Sequence, residues 1–243
     1  LEAIRGRVPG LTIQRGTNGL AALDAVRLRG TTSLTSGNDP LIIVEGGFGD
    51  RSMLTSIYPT DIESFTILKD ASETAQYGSR GASGVIEVTT KKGMQGRTQV
   101  AYNGSFGIST VYKNLKMLSG DEFRSVASER GISILDKGNN TNFQKEIQQT
   151  GLQQNHHVAF YGGSSTSSYR VSLGYMDRQG VILNEDMKNF TSNMNMNQKM
   201  FDGFFDCELG MFGSILKNHN LVDYQKTFYS AATFNPTYPN HKD

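Results

Sequence analysis

From Gly93 onward, apolar and polar residues alternate in segments of about ten residues separated by turn formers, the period of β-strands with two unlike faces. In the first segment Val100, Tyr102, Phe106 and Ile108 share one face, and Ala101, Asn103, Ser105 and Gly107 share the other. Tyr169, Val171, Leu173 and Tyr175 stand opposite Arg170, Ser172 and Gly174. Phe190, Met194, Met196 and Met200 oppose Thr191, Asn193, Asn195, Asn197 and Lys199, and Phe205, Cys207, Leu209 and Met211 oppose Asp206 and Glu208. Asn155 to Gly162 is a weaker strand candidate. One greasy and one wet face is what a transmembrane barrel wall requires, with lipid outside and a polar lumen within. A soluble antiparallel sandwich alternates in the same way, so periodicity alone leaves both open; they differ in which face is covered. The methionine stripe at 194, 196 and 200 reads as apolar surface rather than as a metal or redox site.

The segment from Asp61 to Gly93, DIESFTILKDASETAQYGSRGASGVIEVTTKKG, has a different texture. Ile62, Ser64, Thr66 and Leu68 alternate with Glu63, Phe65, Ile67 and Lys69, which predicts a strand covered on both faces. Asp70 and Glu73 have the spacing of a capping box opening a helix over Ala71 to Gln76. Gly78, Gly81 and Gly84 end that helix, and Val85 to Thr90 returns as a strand. The order helix, glycines, strand is the reverse of a phosphate-binding loop, and no Gly-Lys-Ser/Thr follows. Between the first two wall strands lies a long excursion, 112–151. It is expected to hold a helix from the Ser119/Glu122 capping box to about Arg130 and a second opened by Thr141 with Gln144 and stopped by Gly151.

Composition narrows the function classes. With 24 basic and 23 acidic residues the net charge is +1, which argues against a dedicated nucleic-acid binder. The single cysteine, Cys207, excludes an intrachain disulfide framework. His156 and His157 are adjacent on a strand, point to opposite faces and cannot chelate one ion together. No nucleophile elbow is present, and Asp206 with Glu208 on one strand face is thin support for a hydrolase. No apolar run approaches the ~18 residues of a membrane helix. A chain opening mid-motif at Leu1 is expected to be a fragment or processed product, with any signal peptide or N-terminal extension before it.

The Asp61–Gly93 segment resembles the end of the plug domain of TonB-dependent outer-membrane transporters of the SusC/RagA type. LEAIRGRVPGLTIQRG resembles that family's opening helix and strand, AVRLRG at Ala25–Gly30 its "iRiRG" strand, and Asn38-Asp39-Pro40-Leu41 its "ndPLyviDG" element, with Glu45-Gly46-Gly47 where relatives read Asp-Gly. TNFQKEIQQTG resembles an element that precedes a wall strand, with Phe143 in place of a tryptophan, and Tyr229–Pro239 resembles an "al.fNPt.P" stretch of the wall. The resemblance implies an α+β plug domain over 1–93, followed over 94–243 by the first antiparallel transmembrane β-barrel strands of an incomplete barrel. It implies no enzyme, cofactor or metal. The implied work is TonB-dependent import of a glycan or peptide across the bacterial outer membrane, with a SusD-like lipoprotein, TonB and membrane lipid as partners. The alternative is a soluble β-rich binding or adhesion module. Arg27 and Arg29, on one face of a strand, are the implied plug partners of wall glutamates. Arg170, Asn193, Asn195, Asp206 and Glu208, on wet faces, are candidates to line the lumen. About 22 strands close such a barrel and roughly five are legible here, so an unpaired sheet edge is expected.

Overall fold

The computed structural model describes residues 39–49, 53–54, 57–219, 221 and 223–240, together with the backbone of Leu11–Gln14 and Ala25–Leu28. Those two short strands, β1 and β2, pair antiparallel with Leu11 opposite Leu28. The opening helix expected before Leu11 lies outside the described residues, as does Arg29. Arg27 is placed by its backbone in β2, opposite Thr12.

A four-stranded mixed sheet follows, in the order β4, β3, β6, β5, from Leu41–Val44 (β3), Gly47–Gly49 (β4), Ile62–Leu68 (β5) and Val85–Thr90 (β6). β3 and β6 run parallel at its centre, and their Ile42, Val44, Ile86 and Val88 form the core with Leu54 and Ile57. Central parallel strands lose both faces to packing, which is why β3 reads as a continuous apolar run, while β6 sets Glu87 and Thr89 among buried Val85, Ile86 and Val88. β5 was the strand expected to be covered on both faces. It is instead the edge strand, with no buried residue along its length and a register shift between Ile62 and Ser64. Its mixed faces reflect one-sided cover, and β6 holds the central place.

The Asp70/Glu73 capping box closes, but the α-helix it opens covers only Ala71–Thr74 before tightening to a 3-10 turn over Ala75–Gly81. Gly78 has φ +57° and Gly84 φ +92°, conformations a β-carbon disfavours. Glu45 and Gly46 turn the β3–β4 hairpin with φ of +48° and +79°. The longer Glu45 carboxylate reaches across to accept the amide of Thr90 at the end of β6.

The second sheet has five antiparallel strands in sequence order: Gly96–Ser109 (β7), Gly151–Gly163 (β8), Ser167–Gln179 (β9), Asp186–Met200 (β10) and Phe205–His219 (β11). It is an incomplete, unclosed barrel wall with free edges at β7 and β11. The faces divide as the alternation predicts, but the burial is inverted. Val100, Tyr102, Phe106, Ile108, Leu173, Phe190, Met196, Met211 and Ile215 are exposed, with Phe106 at 68%. His157, Arg170, Ser172, Asn189, Thr191, Asn193 and Asn195 are buried, with Asn195 at 5%.

The excursion holds the Gly120–Glu129 helix, capped by Ser119 and Glu122 as expected. The second helix is a single turn, Phe143–Glu146, capped by Asn142 rather than Thr141. Tertiary contacts take the expected cap residues: the Thr141 hydroxyl donates to the Tyr238 carbonyl at 2.6 Å, and Gln144 bonds both backbone groups of Leu115. Gly151 opens β8 instead of closing a helix. The segment likened to a wall stretch is a helix, Tyr224–Thr233, and a following turn. Both dock on the excursion through Phe143 against Phe234, ring centroids 4.9 Å apart, and through buried Thr237.

Candidate functional site

Three buried polar side chains of the wall, His157, Arg170 and Ser172, converge on Asp61. Asp61 ends the Pro59–Asp61 3-10 turn, its amide bonded to the Tyr58 carbonyl at 2.9 Å and its carbonyl accepting from the Lys91 amide at 2.7 Å. Its carboxylate, 3% exposed, points at the inward face of the wall. There it accepts hydrogen bonds from Ser172 Oγ at 2.7 Å, from Arg170 Nη2 at 3.0 Å and from His157 Nε2 at 2.9 Å. Thr60 Oγ1 meets the other ring nitrogen of His157 at 3.2 Å, and the Tyr58 ring stacks on the imidazole at 4.4 Å. Gly174, opposite His157, leaves room for Tyr58: a β-carbon there would sit 2.8 Å from its ring. Arg170 also lies over the Tyr161 ring, 5.4 Å from its centroid.

Burial by itself raises the pKa of Asp61, and the hydrogen bonds from His157, Ser172 and Arg170 outweigh it and hold the carboxyl below the ordinary value. The buried carboxylate is answered by a buried guanidinium and two further donors, with only Arg170 Nε left unpartnered, and removing one member strands the others.

A second contact runs along β10. Asn195 Nδ2 donates to Thr90 Oγ1 at 3.1 Å and to Asn193 Oδ1 at 3.3 Å, tying the end of β6 to the wall. Beyond it Lys92 pairs with Glu208, and Asn197 donates to Asp206 at 2.7 Å, both in exposed settings. Phe212, also inward on β11, packs against the apolar core of the four-stranded sheet.

The residues read as lumen-lining therefore divide. Arg170, Asn193 and Asn195 share the inward face but are covered by the first sheet, Arg170 held by Asp61 and Asn195 by Thr90, so none of the three is open to a solute here. Asp206 and Glu208 remain exposed. Among the described residues, the buried ion pair between the sheets has a polarity opposite to the one expected: the carboxylate is Asp61 on the first sheet and the arginine is Arg170 on the wall. The side chain of Arg27 and all of Arg29 lie outside the described residues. Sequence reasoning missed Asp61, His157, Ser172 and Phe212. The available signal was His157 and Arg170, two cation-forming groups on the wet faces of adjoining strands with no wall acid on those faces.

A family model for the TonB-dependent receptor plug domain matches residues 1–85. The TonB-dependent receptor SusC of Bacteroides thetaiotaomicron is 40% identical over 214 residues, which cover 83% of this chain and 21% of that protein. The chain belongs to the SusC/RagA-type TonB-dependent receptors. The TonB-dependent receptor P3 of Formosa agariphila is 39% identical over 196 residues, covering 80% of this chain and 19% of that receptor. The RagAB peptide importer in its closed-closed state matches with a TM-score of 0.82 at 25% identity, over 92% of this chain and 29% of that one. The RagAB peptide transporter gives a TM-score of 0.86 at 23% identity, covering 98% and 31%. The chain spans about a fifth of the length of the curated receptors it matches. In SusC/RagA-type terms the Asp61 cluster joins plug sheet to barrel wall.

Proposed function

We propose that this plug and wall act in a TonB-dependent importer that carries a nutrient, a glycan or a peptide, across the bacterial outer membrane. The observation that carries the reading is the inverted polarity of the wall: polar residues covered by the plug, apolar residues bare on the other side. On β10 the outward stretch from Phe190 to Met200 spans ten residue steps of about 3.3 Å, and a tilt of about 45° makes its height roughly 23 Å. That matches the apolar band of about 25 Å on outer-membrane barrels. The same exposure of Phe190, Met196 and Met200 counts against a soluble module, whose apolar faces would be inside.

Loop lengths orient the wall. The turns at 164–166 and 201–204 lie at one rim, and the 110–150 excursion and 180–185 loop at the other. Barrels of this class carry short turns on the periplasmic side and long loops outside, so the excursion and the Tyr224–Thr233 helix face the cell exterior. A SusD-like lipoprotein would deliver cargo there, and TonB would loosen the plug from below. In this reading the plug ends near Gly93 and the wall begins after it. Asp206 and Glu208 face the lumen, and Arg27 and Arg29 pair with wall carboxylates. No covalent chemistry is needed.

The test is genetic and physical together. The full-length gene product should fractionate with the outer membrane, co-purify with a neighbouring lipoprotein and support growth on its cargo only when TonB is present. Growth that persists without TonB, or a receptor found in the soluble fraction, would overturn the reading.

A further inference from the structure

β9 carries two arginines on its inward face, eight residues apart, and they are treated differently. Arg170 is neutralised by Asp61 of the plug. Arg178 lies on the same face, roughly 27 Å further along the strand at about 3.4 Å per residue, toward the long-loop rim. It is half-buried; its Nε is buried without a hydrogen-bond partner, as is that of Arg170, so what sets it apart is the missing carboxylate. Among the described residues no carboxylate hydrogen-bonds or pairs with it.

On the plug side, Tyr58 feels the Arg178 charge: burial raises the phenol's pKa, Arg178 opposes that, and Asp61 adds to it. Across the strand pair, Gln153 stands opposite Arg178, and Asn155 opposite Met176. Asn155 donates its Nδ2 to Ser105 Oγ at 2.9 Å, which leaves a buried acceptor, Oδ1, unpartnered. On the other flank Arg178 meets Met187. A guanidinium fork with no acid among the described residues, beside an open acceptor, can take an oxyanion and a neighbouring hydroxyl or N–H together. Such half-satisfied buried polar groups are costly unless something completes them.

We propose that Arg178 recognises an oxyanion, a carboxylate or sulfate, on the cargo held between the plug and the outer rim, with Asn155 Oδ1 accepting from an adjacent donor. This rests on the import reading and narrows its cargo to molecules carrying a negative group. Arg170 cannot serve, because the plug occupies it.

The test uses the full-length receptor in detergent and sodium sulfate as probe, exchanged against chloride at constant ionic strength. Sulfate should raise the thermal midpoint saturably. Arg178→Gln should weaken that response at least tenfold without lowering the sulfate-free midpoint, and Arg178→Lys should keep part of it. A wild-type receptor without a saturable response overturns the proposal, as does a response unchanged in Arg178→Gln. So does a sulfate-free midpoint several degrees lower in Arg178→Gln, which would mean a structural ion pair with another part of the wall. The titration needs no TonB, so failure of the import test leaves its result readable.

Discussion

The plug sheet and the wall sheet are both built from alternating strands, yet their interiors are opposites. In the plug, Ile42, Ile86 and Val88 are buried and acidic or polar neighbours face out. In the wall, Ser172, Thr191, Asn193 and Asn195 are buried, and Leu173, Phe190 and Met196 are bare. The plug follows the rule for protein in water, where apolar area leaves the solvent. The wall follows the rule for a barrel in lipid, where the apolar face meets hydrocarbon and the polar face is hidden by protein. The boundary between the two regimes is therefore polar on the wall side, and a plug carboxylate, Asp61, can sit there with its charge answered.

The sharpest way to break this comparison is at the boundary. Asp61→Asn leaves Arg170 buried without a counter-charge and is expected to cost about 3–5 kcal/mol, read as a lower thermal midpoint or as faster proteolysis of the plug in the full-length receptor. The pair Asp61→Leu with Arg170→Met removes both charges and should recover only the ionic part of that loss, because buried Ser172 and His157 still lose their acceptor. A single-variant cost below about 1 kcal/mol, the range of exposed pairs, would show that the cluster does not hold the plug.

Within each sheet the same truncation should behave differently. Ile86→Ala empties a close-packed plug site and should cost about 2–5 kcal/mol. Met211→Ala on the outward face should cost little, since lipid replaces the lost contacts. Met194→Arg at mid-band should destabilise the wall by about 2–4 kcal/mol, while Asn197→Arg on the inward face should stay within the ordinary surface range of about ±0.5 kcal/mol. Equal costs for the last two, measured by urea unfolding in bilayers, would dissolve the distinction between faces.

Acid should act on the boundary before the plug core. Asp61 has a folded pKa below its unfolded value. Its contribution is thus fully present above the unfolded pKa, near 4, and is lost as pH falls through the lower folded value. Melting curves from pH 5 downward should show a drop in wild type that Asp61→Asn lacks. The smallest effect belongs to the exposed Lys92–Glu208 pair: Lys92→Ala should change stability by under about 1 kcal/mol, and less at high salt.

The wall was legible because its code is local. The side chains of Phe190 to Met200 alternate on any extended backbone, so the inward and outward sets could be separated before any fold was known. The Ser119/Glu122 box was legible for the same reason, since both partners lie within one turn. Where a residue had a distant partner, local rules failed. Thr141 and Gln144 have the spacing of a cap but bind Tyr238 and Leu115. β5 has the composition of a covered strand, and its edge position follows from β6 pairing with β3. Phe212 breaks the polar rule of its face because the plug core lies against it.

The amino-acid order by itself set the strand period, the two unlike faces and the glycine turns, because those depend on backbone geometry within a few residues. Which face is buried and which arginine the plug answers were decided by tertiary structure. Asp61 and Arg170 are 109 residues apart, and a charge in the interior is stable only where its partner has been brought to within hydrogen-bonding distance.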